Sequence, residues 1–232
     1  DSWSKTAESF GYERYDASVL EPAELYRSKT SEEIVNEQTY TFTDRGDREV
    51  TLRPEMTPTV ARMVAGRKRD LSFPVRWYSI PNLFRYERPQ RGRLREHWQL
   101  NCDLFGVADS IADVEIISLA HQMLLDFGAT PEMFEVHVNN RKLWDALLDS
   151  FEIASEDRAS VTRLVDRKHK MDTSTFREEA EKISGLAESF DILNNLLDTN
   201  NLDTLPSVVK ESAGYRELTA ILSALETLGI EN

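Results

Sequence analysis

Polar and apolar side chains alternate along residues 95–104. Arg95, His97, Gln99, Asn101 and Asp103 fill the odd positions, and after Glu96 the even positions hold Trp98, Leu100, Cys102 and Leu104. A period of two is the mark of a strand with one polar and one apolar face. Residues 74–88 and 93–107 are therefore predicted to form a long hairpin, with Arg85 and Glu87 sharing a face of its first strand. Two readings follow. The polar row is either the wet face of an edge hairpin, common in antiparallel sheets, or the floor of a polar pocket.

The rest of the first half reads as short strands with helices between them. Residues 13–20 are predicted as a strand and 22–29 as a helix. Residues 39–44 and 50–53 alternate and are joined by Arg45-Gly46-Asp47, a hairpin signal. Residues 57–66 suit a helix capped by Thr57, with Pro58 in its first turn and Gly66 at its end. Residues 110–127 carry apolar side chains at helical spacing, and 134–138 read as another strand. From residue 140 onward helical periodicity takes over, over 143–151, 159–165, 176–183, 190–197 and 215–228. The expected fold class is α+β: an antiparallel β-sheet flanked by helices over residues 1–140, then a helical domain over 141–232.

Composition narrows the function classes. The 232 residues are 40% hydrophobic and 30% charged, as in ordinary globular domains, and the formal net charge is -13. Residues 1–140 hold 17 Lys+Arg against 23 Asp+Glu, and residues 141–232 hold 11 against 18. An acidic excess spread over both halves argues against a general nucleic-acid coat and leaves room for a local patch. No run of about 18 apolar residues predicts a membrane span, and DSWSKTAESFGYERYD lacks the apolar stretch of a signal peptide. The one cysteine, Cys102, falls on the apolar strand face and cannot form an internal disulfide, which fits a reducing, cytoplasmic setting. The histidines His97, His121, His137 and His169 show no metal-ligand spacing, so no metal site is predicted. Against this acidic background Arg85, Arg88, Arg91, Arg93 and Arg95 crowd into eleven residues. Guanidinium groups bind phosphate oxygens bidentately, so an anionic ligand held by the hairpin is expected.

The stretch FRYERPQRGRLREHWQLNCDLFG (84–106) resembles motif 2 of class II aminoacyl-tRNA synthetases, in the form carried by the histidyl-tRNA synthetase family. Upstream, YTFTDRGDREVTLRPEMTPTVARM resembles that family's hairpin and LRPE-x-T loop, and EPAELYRSKTSEEIVNEQTY its dimer-forming motif 1 region. The resemblance implies ATP-dependent activation of L-histidine and its transfer to histidine tRNA by a cytoplasmic homodimer, with ATP and Mg2+ required. By resemblance, Arg85 would hold the α-phosphate and the substrate carboxylate, Glu87 would meet the adenine side, and Arg93 would reach the γ-phosphate. Arg95 and His97 would complete the ATP site. Glu55, Met56 and Thr57 would bind the amino-acid end, and Gln99 and Asp103 would contact the ammonium and imidazole. An acidic residue facing an imidazole accepts an N–H that an apolar competitor cannot offer.

Plainer roles stand beside these. Glu55 could pair with Arg53 or Arg85, Thr57 could serve only as a helix cap, and Arg88 and Arg91 could be solvated. The family usually carries Glu where Asp103 stands and an adenine-stacking Phe where His97 stands, and a motif 1 proline is replaced near Ser18. The family's second histidine signature, motif 3 arginine and anticodon-binding domain find no match, so the chain is expected to be the first part of such a synthetase. Residues 141–232 stand where the family carries an inserted, tRNA-contacting domain, and Arg163, Arg167, Lys168, His169 and Lys170 form a basic cluster there. The alternative function is the non-catalytic, synthetase-like regulatory subunit of ATP phosphoribosyltransferase.

Overall fold

A computed structural model describes residues 2–27, 38–86 and 92–230. The chain divides into two compact units, residues 1–134 and 135–232. The first unit is mixed α and β. In chain order it holds α1 (Ser2–Ser9), β1 (Glu13–Arg14), β2 (Leu20–Pro22), α2 (Ala23–Arg27), β3 (Tyr40–Thr43), β4 (Glu49–Leu52) and α3 (Thr57–Gly66). It continues through β5 (Val75–Ser79), β6 (Asn82–Phe84), β7 (Glu96–Trp98), β8 (Asn101–Phe105) and α4 (Ile111–Asp126).

The long hairpin is present but broken. β5 pairs antiparallel with β8 (Trp77 opposite Asp103), and β6 pairs antiparallel with β7 (Leu83 opposite His97). The ladder breaks at Pro81, whose carbonyl instead accepts the Gln99 N–H at 3.1 Å. Proline has no N–H to give to a ladder, so a strand running through it must be interrupted. β1 joins β5 on its other edge in parallel, so this three-stranded sheet, in order β1-β5-β8, is not wholly antiparallel. β2, β4 and β3 form a second, antiparallel sheet, in which the predicted 39–44/50–53 hairpin is seen.

Three expected elements differ. Residues 13–20 are not one strand: the β1 ladder ends as the Tyr15 N–H bonds the Tyr78 carbonyl, and the chain resumes at Leu20 in the other sheet. Residues 134–138 form no strand. Phe134 is extended (φ -152°, ψ 158°), but an extended backbone is a strand only where a ladder pairs it with a neighbouring strand. Thr57 begins α3 without capping it; Met56 holds the cap position in a helical conformation (φ -103°, ψ -24°) from which no side chain reaches back.

The alternating pattern of the β1-β5-β8 sheet feeds two apolar clusters. The even positions Tyr78, Leu100 and Cys102 pack with Ala7 of α1 and Leu119 and Met123 of α4. The odd positions Tyr15, Trp77 and Phe105 pack with Met56, and with Val60 and Val64 of α3, and Leu83 of β6 joins them. At the end of β8 the chain turns through Gly106 at φ +92°, where an added Cβ would stand 2.6 Å from the Phe73 ring.

The second unit is helical: α5 (Arg141–Ser150), α6 (Arg158–Asp166), α7 (Thr173–Ala180), α8 (Leu186–Thr199), α9 (Ser207–Lys210) and α10 (Ala213–Thr227). Side chains cap three of these helices: Asn140 accepts from the Leu143 N–H, Asp172 from Thr175 and Ser212 from Tyr215. The inward faces meet in one cluster that includes Leu147, Phe151, Val161, Phe176, Phe190 and Leu193. Helix α10 approaches α5 closely at Gly214, where a Cβ would lie 2.0 Å from the Leu143 nitrogen and 2.5 Å from the Lys142 carbonyl carbon. Backbone cannot yield as a flexible side chain can, so Gly214→Ala should force the two helices apart. It is expected to destabilise this unit by about 2 kcal/mol or more, read as a lower urea midpoint; an unchanged midpoint would show that the helices can slide.

Candidate functional site

Register places the predicted site residues on one side of the first unit. Leu83 pairs with His97, and the Arg85 N–H bonds the Arg95 carbonyl at 2.9 Å, so Leu83, Arg85, Arg95 and His97 share a face. Leu83 packs in the α3-side cluster together with Trp77 and Phe105. Asp103, opposite Trp77, is on that same side of its own sheet. Glu55 and Met56 lead into α3, which covers it. The cationic strand and the acidic floor therefore look toward the same helix. Trp98 lies on the other face and is 65% exposed, although alternation alone expected it against an apolar layer.

The loop 53–55 is tied to this face by two arginines. Arg53 is 3% exposed, and its guanidinium donates to the Asn82 carbonyl (3.0 Å), the Asn82 Oδ1 (3.0 Å) and the Ala17 carbonyl (2.9 Å). Arg85 is half-buried and donates from Nε to the Pro54 carbonyl at 3.0 Å. Among the described residues only one edge of its planar fork is committed, and the other edge has the geometry to meet a planar or tetrahedral anion. Arg95 lies over the Tyr86 ring, 4.2 Å from its centroid, and Tyr86 meets Tyr40 edge-on at 5.4 Å. Arg93 and Thr57 are exposed, Glu55 and His97 half-buried, and Met56 fully buried. Gln99, at the break in the hairpin, is exposed, and its amide donates to the Asn101 Oδ1 at 3.3 Å. Glu87, Arg88 and Arg91 lie outside the described residues.

Asp103 is the most perturbed acid of this face. Burial pushes its carboxyl up from 3.8 to about 6. Its Oδ2 is buried with no hydrogen-bond partner among the described residues. A buried carboxylate in that state is costly unless a donor or a cation meets it. An ammonium or a ring N–H would supply one. The neighbouring Cys102 thiol is pushed up to about 12 by burial, so it stays protonated and is no nucleophile. Among the described residues no group of three His, Cys, Asp or Glu side chains could hold a metal ion. A magnesium ion carried on nucleotide phosphates needs no such protein cage.

Two hydroxyls on the Asp103 side of the sheet were not anticipated from sequence. Tyr15 Oη and Ser79 Oγ are also buried without a partner among the described residues. Strand parity along residues 75–79 puts Ser79 with Trp77 and could have revealed it. Tyr15 was hidden because the parallel β1–β5 register leaves no local sequence mark. A cavity of about 350 Å³, lined by Ser2, Trp3, Arg14, Ile80, Trp98 and Phe127, opens on the opposite, α1/α4 side. It is apart from the charged groups just described, and its lining offers one cation and no carboxylate. No helix among the described residues is long and apolar enough to cross a membrane.

The family model described as histidyl-tRNA synthetase matches residues 2–231. A histidine–tRNA ligase of Leptospira biflexa is 43% identical over 229 residues, covering 97% of this chain and 52% of that protein. One from Thermoplasma volcanium is 48% identical over 185 residues, covering 80% and 42%. One from Haloarcula marismortui is 39% identical over 236 residues, covering 99% and 54%. The chain spans about half the length of the curated relatives it matches. Among solved structures, histidyl-tRNA synthetase from Nostoc sp. PCC 7120 superposes with a TM-score of 0.79 at 20% identity, over 100% of this chain and 54% of that one. An ATP phosphoribosyltransferase regulatory subunit/histidyl-tRNA synthetase from Bacillus halodurans does so with a TM-score of 0.79 at 22% identity, over 99% and 60%. At those identities the likeness is one of fold.

The Asp103 environment has a measurable consequence. The folded carboxyl holds its proton up to about pH 6, whereas an unfolded one releases it near 3.8, so stability falls as pH rises between those values. Asp103→Asn should therefore raise the stability of the unliganded protein at pH 7.5, by at most about 3 kcal/mol. The gain should vanish near pH 4. Urea titrations at both pH values check this; a variant no more stable at pH 7.5 would mean that the carboxylate is already satisfied.

Proposed function

The chain belongs to the histidyl-tRNA synthetase family, and from that premise we propose that the protein activates L-histidine with ATP and transfers it to histidine tRNA. The observation that carries this reading is the Asp103 carboxylate, whose Oδ2 is buried without a partner among the described residues, on the same side as the Arg85 strand. Activation joins two anions. The histidine carboxylate attacks the α-phosphorus of ATP, the new C–O–P linkage forms, and pyrophosphate leaves with the electron pair of the broken P–O bond. The site must hold both reactants in line and offset their charge.

In this reading Arg85 lies between the carboxylate and the α-phosphate, and its anchor on the Pro54 carbonyl fixes its plane before substrate arrives. Arg93 and Arg95 take the outer phosphates, Glu87 the adenine side, and His97 stacks on the base where the family has Phe. Magnesium would come in on the nucleotide and would supply positive charge against its phosphates, since no group of three His, Cys, Asp or Glu side chains among the described residues would hold it. Glu55, Met56 and Thr57, at the start of α3, shape the ammonium end together with Gln99, and Asp103 accepts an imidazole N–H. A substrate lacking that donor leaves Asp103 buried and unpaired, which is a stronger penalty than a poor fit of apolar surface. The functional unit is a homodimer in the cytoplasm, paired through the motif 1 region, of which residues 28–37 lie outside the described residues. The helical unit is the candidate for touching tRNA, although Lys168 of its basic cluster is already engaged by Asp198.

The regulatory-subunit reading shares this fold. The catalytic reading draws on the ERPQRGR loop and on LRPEMT, which carry the anion-binding and ammonium-binding groups. Histidine-dependent ATP–pyrophosphate exchange separates the two. Arg85→Ala should lower exchange by about 10²-fold or more; near-normal exchange would remove Arg85 from the phosphate site. Asp103→Asn should raise the histidine KM by at least about tenfold while moving the ATP KM by less than about twofold. Equal losses for both substrates would make Asp103 structural.

A further inference from the structure

Three buried oxygen atoms without hydrogen-bond partners among the described residues belong to side chains on one face of the β1-β5-β8 sheet: Tyr15 Oη, Ser79 Oγ and Asp103 Oδ2. Their strands fix this. β1 runs parallel to β5 with Glu13 opposite Trp77 and Arg14 opposite Tyr78, and the Tyr15 N–H bonds the Tyr78 carbonyl at 2.9 Å. The next step of that register sets Tyr15 beside Ser79. On the other edge of β5, Trp77 is opposite Asp103 and Ser79 opposite Asn101, so Ser79 and Asp103 are diagonal neighbours on that face. The Tyr15 ring leans on Trp77, 5.7 Å between centroids, which points it back along the sheet toward the Asp103 register.

The chemistry of the three atoms is complementary. A phenol and an alcohol each have a proton to donate, and a carboxylate can only accept. Buried polar groups are rarely left unmade, and when several collect they mark a network completed by something else. The other charged or titratable groups around them do not compete. The Arg53 guanidinium is committed to Asn82 and Ala17, and the Cys102 thiol is held protonated. From α3 the facing residues are apolar, Val60 and Val64, with Met56 just before them. The phenol of Tyr15 is pushed up to about 12, first by burial, with the Ser79 hydroxyl opposing and the Asp103 charge adding to the rise. It therefore stays a donor across the physiological range. Ser79 opposes that rise as a hydrogen-bond partner of Tyr15 would, yet neither oxygen meets a partner at full hydrogen-bond geometry among the described residues, so the two hydroxyls are close to each other.

We propose that Tyr15 and Ser79 are positioning residues for Asp103: open in the unliganded protein, their hydroxyls close into a short donor chain when the amino acid binds, and then keep the carboxylate ionised and aimed at the N–H of its side chain. The inference rests on the histidine-activation reading and adds to it the residues that set side-chain selection. Asp103 is a methylene shorter than glutamate, so its aim depends more on neighbours that hold it. Neither hydroxyl touches the reacting carboxylate or phosphate, which sets the expected kinetic signature.

The test is ATP–pyrophosphate exchange by the complete protein, with Tyr15→Phe and Ser79→Ala measured as functions of histidine and of pH. Each variant should raise the histidine KM by about tenfold while leaving kcat and the ATP KM near wild type. Each should also move the acid limb of the histidine kcat/KM profile to higher pH, because a carboxylate that loses a donor takes up its proton more readily. A histidine KM and acid limb unchanged in both variants would overturn the inference and leave the catalytic reading standing. Loss of melting temperature with those two readouts unmoved would assign the hydroxyls to packing and overturn it equally. Absence of histidine-dependent exchange in the wild-type protein would overturn the activity itself and this inference with it. Should Tyr15→Phe fail to fold, Ser79→Ala carries the same expectation, and an unchanged histidine KM and acid limb in that variant alone would overturn the inference.

Discussion

The first unit depends on one buried cation. Arg53 ends the second sheet, and its side chain is satisfied by the Asn82 carbonyl, the Asn82 side-chain oxygen and the Ala17 carbonyl, not by a close carboxylate. Asp16, the acid near it, is 3.9 Å away and 91% exposed. A guanidinium in that position is tolerated only while its donors are met, and removing its partners would leave a buried charge of high cost. Its own backbone adds two links: its N–H bonds the Val19 carbonyl, and its carbonyl accepts from Phe84. The segment before β2, the end of β4 and the start of the arginine-bearing strand are thereby held in one arrangement. Arg85 repeats the device one step on by fastening to Pro54. Two arginines in sequence thus join the LRPEMT loop to the arginine-bearing strand.

That frame explains how an acidic face and a cationic face can be kept together without collapsing onto each other. Arg53 and Arg85 are turned toward carbonyl oxygens, which are dipoles and not charges, so Asp103 is not drawn into an ion pair that would fill it in advance. The result is a carboxylate held at some cost to the folded protein. Functional sites commonly keep such groups because the ligand recovers the cost on binding. The apolar cluster of Met56, Val60, Val64, Leu83 and Trp77 sets the low-polarity surroundings that raise the Asp103 carboxyl.

The helical unit is built on different terms. Its helices are capped by side chains at Asn140, Asp172 and Ser212, and it closes around Phe176 and Phe190, 5.3 Å apart. Lys168 is engaged by Asp198 and lies over the Phe176 ring, so part of the basic cluster serves the fold. A polyanion contacting this unit would meet a surface on which some cations already have partners.

Local pattern alone determined most elements here. The period of two along 95–104 and the turn at Arg45-Gly46-Asp47 needed only neighbouring residues, and so did the longer helices after residue 140, because amphipathic periodicity is a local signal; the short α9 (Ser207–Lys210) was not foreseen. The arginine-rich stretch likewise led to the expectation of an anionic ligand from residue type, whereas the part given to LRPEMT, the substrate ammonium, came from resemblance to the histidyl-tRNA synthetase family. Tertiary structure decided the rest. Pro81 broke the long hairpin, and residues 134–138 took no place in any sheet. Trp98 was left exposed because alternation says which residues share a face but not what covers it. Above all, the grouping of Tyr15, Ser79 and Asp103 rests on a parallel register between strands some sixty residues apart. Parallel pairing is set by packing across the whole unit, and no short stretch of sequence records it.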